Sequence, residues 1–511
     1  MNVSQENPGL LMRLPLFLLI WGIAALAMWV PAVHALVLDD HPVSRSFFYA
    51  GLLGLIGVVL IALAIGARPS RHSPLGQLLS LLATFVLLPV FLALPLYDAL
   101  KTTSFINAYF DMVSAVTTTG ADLFDDPARL APSLHLWRAQ VGWMGGLLMW
   151  VAASAILAPL SLGGFEVTTR GEPGRDIAGP RQMERFDPRK RLVRVTASLA
   201  PIYVGLTVAL WVLLLLVGEN SLVALGHAMS VMATSGISSV GGLENANAGM
   251  PGEALLFLFM LFALSRLTFS GDTAARGYGR LDRDPEFRIG LLIIVSVPVL
   301  LFLRHWWGAF DIDAAENTQS AFRAFWGAMF TVTSFLTTTG FESSDWAASQ
   351  QWSGLGTSGL ILMGLAVIGG GVATTAGGVK LLRVFALYLN GLRELERLVH
   401  PSSVSSENAG NKRIQKDGAF IAWVFFMLFA LSLALITIIL TATGVTFDNA
   451  LVLSIATLST TGPLIETAAE TPIRLLELGP FAKGVLCAAM VLGRLETLAI
   501  VALLTPDLWR S

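Results

Sequence analysis

Thr117-Thr118-Thr119-Gly120, Ala233-Thr234-Ser235-Gly236, Thr337-Thr338-Thr339-Gly340 and Ser459-Thr460-Thr461-Gly462 end four separate segments in the same way. Each follows about a dozen residues of moderately apolar, helix-like sequence, and the four recur roughly every 110 residues. A fixed period of this kind signals an internally repeated architecture. Every copy also lies between long apolar stretches. The pattern poses a specific question: whether four polar turns, each held in an apolar setting, meet on one axis and line a pore.

Composition supports the apolar setting. The 511 residues are 54% hydrophobic and only 13% charged. So little charge, together with many apolar runs of about 20 residues, marks an all-α polytopic membrane protein. The net charge of −2 decides nothing, whereas the placement of charge does. Cys487 is the only cysteine and sits inside an apolar run, which excludes a disulfide framework and reads as a small core residue. Basic clusters fall between apolar runs and none forms a separate domain, which argues against nucleic-acid binding. The first run, 14–38, contains a cleavage-like Val33-His34-Ala35. It exceeds the roughly 7–15 residues of a signal core and a second run follows at once, so it reads as a span.

Spanning helices are expected at 14–38, 47–67, 76–98, 138–162, 192–217, 253–270, 288–304, 357–379, 418–443 and 481–505. The stretches 104–117, 221–234, 320–337 and 448–459 are too short or too polar to cross alone. They read as half-helices that enter the membrane and turn back at the repeated Gly, a geometry tolerated only where backbone is buried in protein or faces water. The expected organisation is an N-terminal hairpin, 1–70, followed by four span, half-helix, turn, span units at 71–168, 188–276, 286–398 and 416–511.

Basic residues set the orientation. Arg170, Arg175, Arg181, Arg185, Arg189, Lys190, Arg191 and Arg194 share one connection; Arg276, Arg280 and Arg283 lie in the next, and Arg393, Arg397, Lys412, Arg413 and Lys416 in another. All fall on the side of both termini, which the positive-inside rule makes cytoplasmic. The opposite side carries Asp122, Asp125, Asp126, Glu219, Glu244, Glu342, Asp345, Glu466 and Glu470, giving an acidic outer mouth.

A dehydrated alkali cation needs a cage of oxygens, and backbone carbonyls supply one in potassium pores. Aiming successive carbonyls at an axis takes the chain out of ordinary geometry, which Gly does at least steric cost. Thr and Ser before each Gly bring hydroxyls and no apolar bulk. Asp122 and Glu342, two residues beyond Gly120 and Gly340, would raise cation concentration at the mouth. A single such turn is a helix end with a Gly cap. Four at matching places argue for a filter, and Ser114, Ser230 and Ser334 repeat six residues before their Gly, with Ala456 in the fourth copy.

Two further features carry information. Gly369-Gly370-Gly371 through Thr374, Thr375, Gly377-Gly378-Val379-Lys380 has the letters of a phosphate loop. Val379 separates Gly378 from Lys380 and no Ser or Thr follows, so the spacing fails. On its residues alone the run reads as close helix packing. Gly354 to Gly359 matches a dinucleotide fingerprint by letters only, opens a span and follows no strand, so it is rejected. Arg494 sits near the middle of the last apolar run. An arginine there costs about 2.5–3.5 kcal/mol on insertion scales, so it must face a partner or water; a buried ion pair is one solution. His227 and Met229 read as packing residues, and His135 and His305 flank spans. No residue cluster suggests a transition-metal site or an enzyme's nucleophile–base pair.

The four turns, Arg283-Asp284-Pro285-Glu286-Phe287-Arg288, the Gly-rich run and Gly493-Arg494-Leu495-Glu496 together resemble the Trk/Ktr/HKT superfamily of potassium transporters, and within it the bacterial Trk-type membrane subunit. The resemblance covers nearly the whole chain, about residues 70–511, and extends to the N-terminal hairpin. It implies potassium as the only metal and the only cargo, with no covalent cofactor, and a fourfold pseudosymmetric pore in the inner membrane. It implies that Gly369–Lys380 is an intramembrane gating loop below the filter and that Arg494 stands in the pore beneath it. Ala373 and Ala376 stand where relatives often have Gly. The resemblance further implies a homodimer in membrane lipid, regulated by a separate cytoplasmic nucleotide-binding subunit of the TrkA type. An alternating-access carrier coupling potassium to protons or sodium is the other reading of the same residues.

Overall fold

The computed structural model describes residues 14–65, 74–124, 126–160, 162, 164, 188–265, 284–308, 317–399, 418–469 and 473–496. Among them every regular element is a helix. Seven are long and apolar enough to cross a membrane: Leu16–Val37, His41–Ile65, Gly76–Leu100, Pro132–Leu157, Lys190–Leu216, Pro285–Arg304 and Gly418–Ala442. Their outward faces keep large apolar side chains exposed, among them Leu63, Leu216, Leu300 and Leu431. A water-soluble surface rarely carries so continuous an apolar belt, whereas hydrocarbon solvates it.

The four half-helices form where the sequence places them, at Phe105–Val116, Ser221–Ala233, Asn317–Leu336 and Phe447–Leu458. The first, second and fourth, 12 or 13 residues long, rise only about 18–20 Å, far short of a hydrocarbon core of about 30 Å. The third begins three residues earlier than expected and is 20 residues long.

Three expected spans differ. The run 253–270 forms the shorter apolar helix Gly249–Leu264. The run 357–379 is helical only from Ser358 to Ile368, because Gly369 takes φ +73° and the chain leaves the helix there. It resumes as Leu381–Val399, and Ser358–Ile368 itself is bent 117° from the preceding Trp346–Ser353. The last run gives Pro480–Leu495, ending at Glu496 with φ +63°; residues beyond 496 lie outside the described set. So do Arg170, Arg175, Arg181, Arg185, Arg276, Arg280, Arg283, Lys412, Arg413, Lys416, Asp125 and Glu470.

The N-terminal hairpin is packed on the first repeat by edge-to-face rings, Trp21 on Phe91 and Phe47 on Trp137, each pair 5.6 Å apart. Each pore helix is held by the span that follows it, and small residues set how closely. A Cβ on Gly145 would lie 2.1 Å from the Val116 carbonyl that ends the first pore helix; one on Gly493 would lie 2.2 Å from the matching Leu458 carbonyl. Backbone thus meets backbone at both contacts. Gly145→Ala is expected to push the first pore helix away and cost about 1–3 kcal/mol. Thermal unfolding of the solubilised protein reads this as a lowered midpoint. Gly484→Ala serves as the comparison, since an added Cβ there meets nothing within 4 Å. Equal midpoints for the two variants would contradict the packing account.

Candidate functional site

All four pore helices end in one backbone device. The N–H of the residue before each repeated Gly donates five residues back: Thr119 to Ser114, Ser235 to Ser230, Thr339 to Ser334 and Thr461 to Ala456, at 2.8–2.9 Å. The N–H one residue earlier donates three back, from Thr118, Thr234, Thr338 and Thr460. These paired bonds are a Schellman closure, which satisfies carbonyls a helix end leaves open. The residue that must turn left-handed is Thr in every copy, with φ +55°, +51°, +57° and +55°. A β-branched residue there is strained, by about 1–2 kcal/mol each. The register noted at Ser114, Ser230, Ser334 and Ala456 is explained: the shared feature is the carbonyl acceptor, so the fourth copy needs no hydroxyl.

Gly120, Gly236 and Gly340 are left-handed as well, at φ +68°, +66° and +87°. Gly462 is not, because Pro463 restricts the residue before it to extended geometry. Its N–H instead donates to the Thr119 carbonyl at 2.6 Å.

The turns close into a ring. An added Cβ on Gly120 would strike the Ser235 carbonyl at 1.6 Å, on Gly236 the Thr339 carbonyl at 2.3 Å, on Gly340 the Pro463 ring at 2.9 Å, and on Gly462 the Ala121 nitrogen at 2.1 Å. A Cβ on Gly236 would also lie 2.6 Å from the Pro463 ring, so that ring reaches the second turn as well as the third. Thr118, Thr119, Thr338, Thr339, Thr460 and Thr461 are fully buried within this ring. The hydroxyls of Thr118 and Thr460 have no hydrogen-bond partner. The Thr338 hydroxyl accepts the Gly377 N–H at 2.7 Å, which places the Gly-rich loop against one end of the ring.

Outside the ring, the limb leaving each turn is tied down. Arg138 bonds Asp111 on the first pore helix at 3.1 Å and Asp122 beyond the first turn at 2.9 Å. His227 bonds Ser238 at 3.0 Å, and Thr331 accepts the Ser343 N–H at 3.2 Å. Asp111, His227 and Thr331 all stand nine residues before their Gly. Asp122, expected to bear a charge open to the mouth, is therefore neutralised in part by Arg138. Glu342 accepts the Thr467 hydroxyl from the short helix after the fourth turn. His135 is buried and bonds the Pro127 carbonyl at 2.9 Å, instead of flanking the span at a surface.

The Gly-rich loop runs from Gly369 to Lys380 and is stapled at its base by Val379 to Val367 and Lys380 to Ile368, at 2.8 and 2.9 Å. Gly371 donates to the Ala263 carbonyl at 3.0 Å, and the Thr375 hydroxyl to the Met232 carbonyl at 3.2 Å. Lys380 turns its ammonium back to the Ala376 carbonyl. A Cβ on Gly377 would sit 2.1 Å from the Ser459 carbonyl and 2.2 Å from the Thr460 hydroxyl. Thr374 caps within the loop, on the Gly371 carbonyl. Arg494 donates from Nη1 to the Thr375 carbonyl at 2.6 Å, while Nε and Nη2 have no partner. Among the described residues Arg494 makes no ion pair; Glu496 pairs with Arg383 at 2.5 Å instead.

Two contributors were missed in the sequence. Glu286, quoted only as part of a motif, accepts the Val372 N–H at 2.9 Å and so anchors the loop. The Asp111–Arg138 pair is the other. Its signal was present as two opposite charges on neighbouring apolar helices, which intramembrane burial makes partners by default.

A family model described as TrkH, cation transport protein, matches residues 254–508. The chain is 31% identical to the Trk system potassium uptake protein TrkH of Salmonella typhimurium over 414 residues, 79% of this chain and 80% of that protein. The chain belongs to the TrkH family. It is also 30% identical to the Trk system potassium uptake protein TrkH of Halomonas elongata over 498 residues, covering 92% and 95% of the two chains. The crystal structure of the potassium transporter TrkH from Vibrio parahaemolyticus superposes with a TM-score of 0.81 at 26% identity, over 98% of this chain and 99% of that one. This is a transport family and its members' names are those of transporters, so the TrkH-family chain is no enzyme.

Arg138→Leu is expected to leave Asp111 buried and unpaired and to destabilise the protein by about 3–5 kcal/mol. The yield and thermal midpoint of membrane-inserted protein measure it. Adding Asp111→Asn should restore part of the loss; no recovery would contradict the pairing.

Proposed function

We propose that this chain is a potassium uptake protein of the bacterial inner membrane, carrying the ion through the ring of four turns. The observation that carries the reading is the ring itself: buried carbonyl and hydroxyl oxygens from four equivalent turns, with the Thr118 and Thr460 hydroxyls unpartnered. A cation stripped of water needs such oxygens, and the relatives named as potassium transporters support the choice of ion. Thr118, Thr119, Gly120, Thr234, Ser235, Gly236, Thr338, Thr339, Gly340, Thr460, Thr461 and Gly462 form the filter. Glu342 and the Arg138-paired Asp122 rim its outer mouth.

The loop Gly369–Lys380 is the inner gate. Bonded to Thr338 and pressed on Ser459 and Thr460, it shuts the exit from the filter, and conduction requires its withdrawal. Arg494 holds the loop through Thr375 and sets a positive charge in the ion's path. Glu286 anchors the loop's start. The basic connections face the cytoplasm with both termini, beside anionic lipid. Two copies associate, and a separate cytoplasmic nucleotide-binding subunit biases the loop; such control needs different affinities for the open and closed states.

Expression in a potassium-uptake-deficient strain tests the function: growth at low potassium is expected, and none with normal membrane insertion would contradict it. Gly120→Ser and Gly340→Ser should lower the potassium-to-sodium flux ratio, since the new Cβ atoms meet the Ser235 carbonyl and Pro463. Unchanged ratios would sink the filter. Arg494→Ala should raise flux per inserted molecule; poor insertion with no gain per molecule would make Arg494 a structural residue.

A further inference from the structure

Glu253 is a buried carboxylate that no motif singled out. It lies on the helix Gly249–Met260 of the second repeat and is 3% exposed. Its oxygens accept four hydrogen bonds, all from the third repeat. Oε2 accepts the Trp326 indole N–H at 2.9 Å and the Ser343 hydroxyl at 2.7 Å. Oε1 accepts the Ser344 N–H and the Ser344 hydroxyl, both at 2.7 Å. Trp326 belongs to the third pore helix, and Ser343 and Ser344 lie three and four residues beyond Gly340 in the limb that leaves the third turn. Among the described residues no basic side chain pairs with Glu253.

Four donors converge on one carboxylate, each placed for a charge-assisted hydrogen bond. The site therefore fixes two things at once. It locks the outgoing limb of one turn to its own pore helix and to the neighbouring repeat. It also sets a carboxylate behind that turn that has no basic partner among the described residues. The first turn has a tether too, but there Arg138 offsets the carboxylates. The third turn is also the one bonded to the Gly-rich loop, through Thr338. Its placement thus bears on both ends of the ion path.

We infer that Glu253 is a specificity-determining positioning residue: it holds the third turn in the shape that prefers potassium-sized cations and adds cation attraction from behind. This rests on the filter reading above. Glu253→Gln keeps the shape but replaces one oxygen by an NH2 group. Trp326 Nε1 and the Ser344 backbone nitrogen can only donate, so whichever way the amide turns, one N–H faces another. Glu253→Asp keeps the charge and shortens the reach.

The test uses the full-length protein in vesicles, reading rubidium tracer uptake and sodium flux per inserted molecule. Glu253→Gln is expected to lower the rubidium-to-sodium ratio about tenfold, with Glu253→Asp between it and the parent. A residue that only stabilises the fold would change the amount of inserted protein and leave that ratio alone. Glu253→Gln inserted normally with the parent's ratio overturns the proposal while leaving the filter reading intact. Where Glu253→Gln fails to insert, Trp326→Phe combined with Ser344→Ala removes two side-chain donors and spares the charge; a lowered ratio supports the proposal and an unchanged one overturns it. A parent protein with no rubidium preference overturns the filter reading, and this inference with it.

Discussion

A polar turn inside hydrocarbon must satisfy its own backbone, and everything else in this molecule follows from that demand. The four pore helices stop part-way through the apolar layer, where no water waits for their last carbonyls. The Schellman closure answers those carbonyls internally, at the expense of a left-handed Thr in each turn. Such strain persists only where surrounding structure over-determines it. Here the surroundings are the adjacent turns, the spans packed on the first and fourth helices through Gly145 and Gly493, and the tethers on the outgoing limbs.

The ring is regular in backbone and irregular in support. Asp111 with Arg138, His227 with Ser238, and Thr331 with Ser343 occupy one position in three repeats and do one job with different chemistry. The fourth repeat has Leu453 there and depends on Pro463, packed against Gly236 and Gly340, and on Thr467 reaching Glu342. Divergence of this kind leaves the axis common while letting each turn have its own stiffness. The inner side shows the same logic. The Gly-rich loop is held by Glu286, Thr338, Met232, Ala263 and Arg494, so its position integrates contacts from several repeats.

Much of this was legible in the chain. The four Gly-terminated segments marked the half-helices nearly to the residue, because short polar-ended runs among long apolar ones have few other solutions. Arg494 announced the need for a partner, whereas the break at Gly369 falls inside a run that reads as one continuous span and was signalled only by the family resemblance. Harder to read were the pairs distant in sequence. Glu253 and Ser344 are 91 residues apart, Glu286 and Val372 86, and no local period links them. The left-handed Thr was hidden as well: attention falls on Gly, yet the strain sits two residues earlier. Ala373, at φ +55°, belongs to the same class, and a residue with a Cβ in that geometry makes the loop stiffer than Gly would. Asp122 misled in the opposite direction, since its neutralising Arg138 comes from the next helix.

The central claim is that the oxygens of the four turns form one cation site on a shared axis. Anomalous diffraction from crystals grown in rubidium measures this directly. The account predicts a peak within the ring, coordinated by oxygens of all four turns between Thr118 and Gly462 and lost when sodium replaces rubidium. A rubidium peak elsewhere, with the ring empty at saturating concentration, would contradict it.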